Sequence, residues 1–359
     1  MLGRHRRLAL LAEGAFTPLD AKTAVGVLRY RPEEVVAVID GSRAGATAGA
    51  LVGVGGDVPV VADVAAAAAL GADGLLIGIA PQGGGLPEAW RAPVREALAR
   101  GWDVLSGLHV ALADDPEFAA LAARGGAVIH DVRRPPAERP VAAARAAAVD
   151  ALVVLTVGTD CNVGKMTAAL ETVAALRARG ARAAFVATGQ TGIFLADRGA
   201  AVDAVAADFV AGVTERLVLE AADGADVVVV EGQGALFHPA YSGVTLGLLH
   251  GACPSALVLC HECGRAGVRR RGADDPTFPL PPLPAARAAY ETASAWLRPA
   301  RVVAAALHTG RLDAADARAA CADAAAALGV PATDPVRFGA APIADALLAF
   351  REARRATHA

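Results

Sequence analysis

The chain predicts two α/β domains, each a parallel sheet covered by helices. Three observations carry this. Short apolar runs alternate with Ala-rich helical segments along most of the 359 residues, the spacing of parallel strands joined by crossover helices. A Pro-, Arg- and Ala-rich stretch, Arg133-Arg134-Pro135-Pro136 through Arg145, divides the alternation in two. The second half opens with an apolar run that passes through a Gly-bounded loop into a helical pattern. The length is enough for two cores.

Bulk properties exclude several classes. Hydrophobic residues make up 55%, largely Ala and Val, and aromatics only 4%. The 34 Lys and Arg against 37 Asp and Glu leave a net charge of −3. That charge gives no general reason to expect nucleic acid or an anionic membrane as partner. Met1-Leu2-Gly3-Arg4-His5-Arg6-Arg7 imitates the basic start of a signal peptide. Its apolar part, residues 8–12, is short and closed by Glu13, so no signal peptide is expected. The Ala-rich stretch 64–80 is broken by Asp73 and several glycines and is no membrane span. Five cysteines, an odd number, suit a reduced, cytoplasmic setting.

Taken in order, the first domain is expected over residues 1–140. After an irregular opening, Val35–Ile39 reads as a buried strand ending in Asp40-Gly41-Ser42-Arg43, a loop with room for a ligand. Further runs lie at 58–61, 74–79, 103–105 and 126–132, with helical segments near 63–70, 88–100 and 117–124. This is a Rossmann-like arrangement from about Val35 to Val132. It lacks G-x-G-x-x-G, so no dinucleotide is implied. Pro81-Gln82-Gly83-Gly84-Gly85-Leu86-Pro87 and Gly107-Leu108-His109 follow strands, as lining between the domains or as plain connectors.

The second domain is expected over 146–359 as a P-loop NTPase-like parallel sheet. Its strands are placed at 152–157, 183–187, 226–230, 256–260 and 301–307. Pro residues at 279–284 precede a helix over 285–297, and Ala314–Leu328 and 343–355 are helical. No repeat of solenoid length is present. Two open α/β domains also favour association into a homo-oligomer.

The functional signal is Gly158-Thr159-Asp160-Cys161-Asn162-Val163-Gly164-Lys165-Met166-Thr167. Strand, glycine-bounded loop, Lys and helix is the layout that cradles phosphate with backbone N–H groups, a helix N-terminus and an ammonium. The standard form has four residues between the glycines and Ser or Thr after the Lys. Here there are five, and Met166 follows Lys165. The hydroxyl arrives at Thr167, roughly 100° further round the helix. Phosphate cradling survives this change, whereas magnesium-assisted phosphoryl transfer loses its usual oxygen ligand.

Other candidates cluster at strand ends, where ligands gather in open parallel sheets. Glu231-Gly232-Gln233-Gly234 ends a run of valines, and Glu231 suits a metal, an amine proton or a ligand hydroxyl; the bland alternative is a turn cap. His238-Pro239-Ala240-Tyr241-Ser242-Gly243 follows, and His238 suits acid–base work near neutral pH or an inert surface loop. Thr188-Gly189-Gln190-Thr191-Gly192 permits close approach of a ligand that Gln190 can bond. Asp203 and Asp208 are cation ligands or local caps. Cys260-His261-Glu262-Cys263, near His250 and Cys253, resembles a zinc set, but Cys260 completes an apolar strand. His261 therefore reads better as part of the crevice, and no metal is expected. Cys161 in the loop is a nucleophile candidate. No partner for it is visible in the sequence, and small size is its alternative role.

These residues carry a resemblance. The loop 158–167 is similar to that of dethiobiotin synthetase and the cobyrinic acid amidation enzymes, which also keep Gly-Thr-Asp and five residues between the glycines. It more closely resembles a bacterial and archaeal P-loop family with an N-terminal Rossmann-like domain. The stretches that match are the loop itself, Glu231-Gly232-Gln233-Gly234, His238-Pro239-Ala240-Tyr241-Ser242-Gly243-Val244-Thr245, Ala187-Thr188-Gly189-Gln190-Thr191-Gly192 and Val202-Asp203-Ala204-Val205. One branch of that family is associated with D-glutamate N-acetylation from acetyl-CoA, its genes often beside enolase-superfamily epimerase-like enzymes. A Gly-Lys-Thr-like element is expected after Ile39-Asp40, and Gly45-Ala46-Thr47 lacks the lysine. The resemblance implies an acetyl-CoA-dependent N-acetyltransferase acting on an acidic amino acid, its loop anchoring the CoA phosphates. Glu231, His238 and His261 are then candidates for taking the amine proton. Backbone N–H groups at 232–234 would hold the oxyanion, and Arg43, Arg133 or Arg134 the substrate carboxylates. The alternatives are an ATP- and Mg-dependent ligase or kinase of the dethiobiotin synthetase type, and a nucleotide-sensing regulator.

Overall fold

The computed structural model describes residues 7–18, 20–79, 84–268 and 278–358. They form two compact units, Met1–Pro135 with Gln190–Ala204, and Pro136–Gly189 with Val205–Ala359.

In the first unit, β1 (Leu8–Leu11), α1 (Lys22–Tyr30), β2 (Val35–Ile39), α2 (Ala48–Val52), β3 (Val60–Val61) and α3 (Val64–Ala69) lead to β4 (Gly74–Ile77). α4 (Arg91–Ala99), β5 (Asp103–Ser106), α5 (Pro116–Gly125) and β6 (Ile129–Asp131) follow. The strands are parallel in the order β3-β2-β1-β4-β5-β6, the Rossmann order. The irregular opening expected before Val35 is a misreading: β1 is a central strand there, followed by α1. A four-residue apolar run after basic residues looks like a leader, yet Leu8 to Leu11 are all buried, as a strand covered on both faces must be. α1 is masked by Gly26 and by β-branched Thr23, Val25 and Val27, all weak helix formers.

The second unit runs β7 (Leu152–Gly158), α6 (Lys165–Ala178), β8 (Ala183–Val186), then, past α7 (Gln190–Ala196), α8 (Ala207–Ala222) and β9 (Val227–Val230). It continues through α9 (Ser242–Ala252), β10 (Ala256–Glu262), α10 (Leu283–Ala295), β11 (Arg301–His308), α11 (Ala314–Leu328), β12 (Ala332–Thr333) and α12 (Ala341–His358). The order is β12-β11-β10-β7-β9-β8, all parallel. β9 thus slots between β7 and β8, and the chain reverses direction across the sheet at β7. The four valines of β9 are fully buried.

α7 belongs with the first unit for visible reasons. Thr191 shares a 2.9 Å hydrogen bond with Thr23 of α1. Arg31 donates to the Phe194 carbonyl and pairs with Asp197, and Phe194 lies in the first unit's core. The Pro-rich stretch is held rather than loose. A side chain at Gly212 would sit 1.7 Å from the Pro140 carbonyl oxygen, so only glycine allows α8 this approach. Buried Glu215 accepts from the Ala143 and Arg145 amides and from the Arg145 guanidinium. Burial opposes its charge, but these bonds hold its carboxyl below the ordinary value. No described helix is long and apolar enough to cross a membrane.

Candidate functional site

All strands of the second sheet point one way, so the ends of β7, β9 and β10 and the turn after β8 meet at one edge. The loop between β7 and α6 occupies it. Gly158 ends β7, and a Cβ there would lie 2.8 Å from Val163 Cγ2 and 3.1 Å from Lys165 Nζ. Asn162 and Gly164 take φ of +58° and +92°, left-handed conformations that turn the loop back into the start of α6. Lys165 opens α6, buried, and its Nζ folds back to donate to the Asp160 carbonyl at 2.8 Å. Burial pushes its ammonium below the ordinary value.

The loop is clamped from three sides. Asp160, fully buried, accepts from the Cys161 amide at 2.7 Å and from Arg265 Nη1 at 2.7 Å. Arg265 Nη1 also donates to the Cys161 carbonyl at 2.8 Å, and its other nitrogen to Glu262. Tyr290 of α10 donates to the Gly158 carbonyl at 2.7 Å. Thr159 Oγ1 lies 2.9 Å from His261 Nδ1. Burial, helped by Arg265, lowers the pKa of that imidazole.

Beside the loop, Glu231 follows β9 and is 4% exposed. Its Oε2 accepts from the Thr188 and Gly189 amides at 3.0 and 3.2 Å. Burial pushes the carboxyl up to about 7, against the pull of those amides, Gln233 and Lys165. Gly232 is required where it stands, because a Cβ would fall 1.7 Å from the Thr156 carbonyl oxygen and 3.1 Å from Lys165 Cδ. The Gly232 amide donates to Thr156 Oγ1 at 2.9 Å. That donor is spent inside the protein, which narrows the oxyanion role expected for 232–234 to Gln233 and Gly234.

His238 comes to the same place. Its imidazole, the Asp160 carboxylate and the Cys161 sulfur have ligand atoms within 4.8 Å of one another. The Ala240 amide donates to His238 Nδ1 at 3.1 Å, and the ring packs on Tyr241 at 4.5 Å. Among the described residues, this trio is the metal-capable cluster, rather than the Cys260-His261-Glu262-Cys263 run. β10 extends through His261 to Glu262, and burial drives Cys260 up to about 12, which makes it a core thiol.

The second unit therefore brings together Glu231, His238, His261 and the whole stretch 158–167. Asn162 is exposed, while Met166 and Thr167 are half-buried on the first turn of α6. Gln190, Arg43 and Arg133 lie in the first unit. Arg43 is exposed in the turn after β2. The Arg133 guanidinium donates to the Gly107 carbonyl and to Gln190 Oε1, each at 2.6 Å, and pairs with Asp203. A substrate carboxylate would have to displace one of these. Arg134 pairs with Asp114, Asp208 sits in the first turn of α8, and residues 81–83 of the Gly-rich loop lie outside the described residues. Thr47 caps α2 through the Ala50 amide. Sequence reasoning missed Arg265, Tyr290 and Thr156. Arg265 follows Gly264 in an ordinary-looking turn, Tyr290 is one aromatic in an Ala-rich helix, and no local signal marks either.

Fold and site define a P-loop protein with a Rossmann-like companion domain, its lysine present and its magnesium hydroxyl displaced. The comparisons go one step further. The "DUF1611_C" P-loop domain matches residues 140–344 and the "DUF1611_N" Rossmann-like domain residues 41–135, both described as domains of unknown function. The chain belongs to the DUF1611 family. It is 39% identical to a D-glutamate N-acetyltransferase of Tritonibacter scottomollicae over 92% of this chain and 95% of that one. It is 35% identical to another of the same description from a Pseudoalteromonas species, over 76% and 80%. A crystal structure of a DUF1611 family protein from Anabaena variabilis superimposes with a TM-score of 0.90 at 40% identity, covering 96% of this chain and 99% of that one. The chain is accordingly an enzyme of the N-acetyltransferase class.

Proposed function

We propose that the enzyme transfers acetyl from acetyl-CoA to the amine of an acidic amino acid, D-glutamate as in its named relatives. The loop 158–167 then anchors the CoA phosphates. The observation that carries this reading is the pairing of a glycine-bounded loop that ends in Lys165 with an adjacent buried carboxyl poised near neutrality. Lys165 supplies the ammonium at the loop that a phosphate would pair with, Arg265 being spent on Asp160 and Glu262, while Met166 stands where a magnesium-binding hydroxyl normally follows the lysine. CoA needs its phosphates held, not transferred. Glu231, at about 7, matches a base that must accept an ammonium proton near neutral pH. His261, bonded to Thr159 and depressed by burial, serves as a neutral wall of the site.

The test is direct. The purified chain is incubated with acetyl-CoA and D-glutamate, and thiol release and N-acetylglutamate are followed together. Amine-dependent release of CoA with stoichiometric N-acetylglutamate supports the reading. ADP formed from ATP and magnesium, with no thiol release, supports instead a ligase or kinase of the dethiobiotin synthetase type.

A further inference from the structure

We propose that Arg311 binds the ribose 3′-phosphate of the acyl carrier, and so sets a preference for CoA over carriers that lack that group. This rests on the acetyl-CoA reading above and deepens it. CoA carries a pyrophosphate and, on its ribose, a separate phosphomonoester of about two negative charges. At the loop Lys165 supplies an ammonium, while Arg265 is spent on Asp160 and Glu262. A second phosphate needs further donors beside the loop.

Arg311 stands at the same edge of the second sheet, in the turn that follows β11. β11 pairs with β10 and β10 with β7, all parallel, with Glu262 opposite His308 and Cys260 opposite Gly158. Two strand spacings put the ends of β7 and β11 roughly 10 Å apart, within the reach of one nucleotide. A buried carboxylate links the two places. Glu262 pairs with Arg265 through Oε2 and with Arg311 Nε through Oε1, at 3.4 Å, and Arg265 holds the Cys161 carbonyl of the loop. That long ion pair engages only Nε of Arg311. Among the described residues, its Nη1 and Nη2 have no partner, and the side chain is 71% exposed. A planar guanidinium with both outer nitrogens open matches the oxygens of a phosphomonoester.

The turn that carries it is pinned on both sides. Buried Asp334 accepts from the Thr309 amide at 2.9 Å and from the Thr309 hydroxyl at 2.6 Å. Arg337 Nη1 donates to the Leu312 and Asp313 carbonyls at 2.9 and 3.2 Å. Asp313 caps α11 through the Ala315 and Asp316 amides. The acids of the turn are thus committed to its backbone and do not compete for the Arg311 guanidinium. A backbone already fixed loses less freedom when a ligand binds.

Acetyl-CoA and acetyl-dephospho-CoA, which differ only in the 3′-phosphate, are titrated into the wild type, Arg311→Ala and Arg311→Lys. The wild type should bind acetyl-CoA roughly tenfold more tightly than the dephospho form. Arg311→Ala should lose that preference by weakening acetyl-CoA alone. Arg311→Lys, a point charge without the planar fork, should keep part of it. Equal binding of the two thioesters by the wild type overturns the inference and leaves the acetyltransferase reading intact. So does an Arg311→Ala variant that keeps the preference, or that weakens both thioesters alike. A wild type that neither binds acetyl-CoA nor releases its thiol with any amino acid overturns both.

Discussion

The two units share a plan, a six-stranded parallel sheet with a reversal at its first strand, but they finish that strand in opposite ways. At the end of β1, the Asp40 carboxylate is fully buried and takes the amides of Gly14, Phe16 and Ser42, while Glu13 takes the Gly41 amide. The protein's own acids fill the place where an anion would bind. At the end of β7, the one acid of the loop, Asp160, is tied up by Arg265, and a lysine is folded over the turn. On the proposed reading, the same topology shuts anions out of one unit and admits them to the other. A Rossmann order of strands is thus no evidence of a phosphate ligand, and the side chains at the switch point decide.

Four substitutions break or sharpen that contrast. The largest effect is expected for Glu231→Gln, with kcat falling about a thousandfold and acetyl-CoA affinity little changed. In the wild type kcat/KM should rise as the pH passes through about 7 and level off above it; the variant should lose that limb. Glu231 also ties stability to pH. It stays protonated in the folded chain up to about 7, whereas the unfolded chain ionises near 4.5. Stability contributed by this group is therefore present below the lower value and lost as pH rises to the higher, on the order of 3 kcal/mol. Urea titrations across that window should show the decline, and Glu231→Gln should flatten it.

Next comes Arg265→Ala, which leaves the buried Asp160 carboxylate without its guanidinium and should cost about 3 kcal/mol of stability. Because the clamp on the loop goes with it, acetyl-CoA affinity should fall too. Asp40→Ala is its counterpart in the first unit. Stranding the amides at the end of β1 should cost about 2 kcal/mol with acetyl-CoA affinity unchanged. If Asp40→Ala weakened acetyl-CoA binding as strongly as Arg265→Ala, the contrast between the two switch points would fail. The smallest effect on chemistry is expected for Gly212→Ala. Overlap with the Pro140 carbonyl should lower the melting temperature, while KM for acetyl-CoA stays put.

How much of this was legible beforehand follows from range. β2 and β9 are apolar from end to end, and β7 is so but for Thr156, because both faces are covered, so the composition of a few adjacent residues reveals them. The loop between β7 and α6 was legible because Gly158, Gly164 and Lys165 sit within one short stretch. β1 was lost because four apolar residues behind a basic start look like a leader, and only its two neighbours in the sheet show otherwise. Glu231 could be placed at a strand end, but not its value near 7, which comes from burial and the turn after β8. The Asp160–Arg265 pair spans 105 positions, and the approach of His238 to Cys161 depends on β9 lying beside β7. Both are products of strand order, which no local pattern carries.

The central claim is that the loop 158–167 holds the phosphates of an acyl carrier. It is tested most directly by calorimetric titration of acetyl-CoA and of acetyl-pantetheine, which lacks those phosphates, into the wild type and Lys165→Ala. Acetyl-CoA should bind the wild type and lose at least about tenfold in affinity in the variant, equivalent to about 1.4 kcal/mol. Acetyl-pantetheine should bind weakly and equally to both. Equal acetyl-CoA affinity in the two proteins would contradict the account.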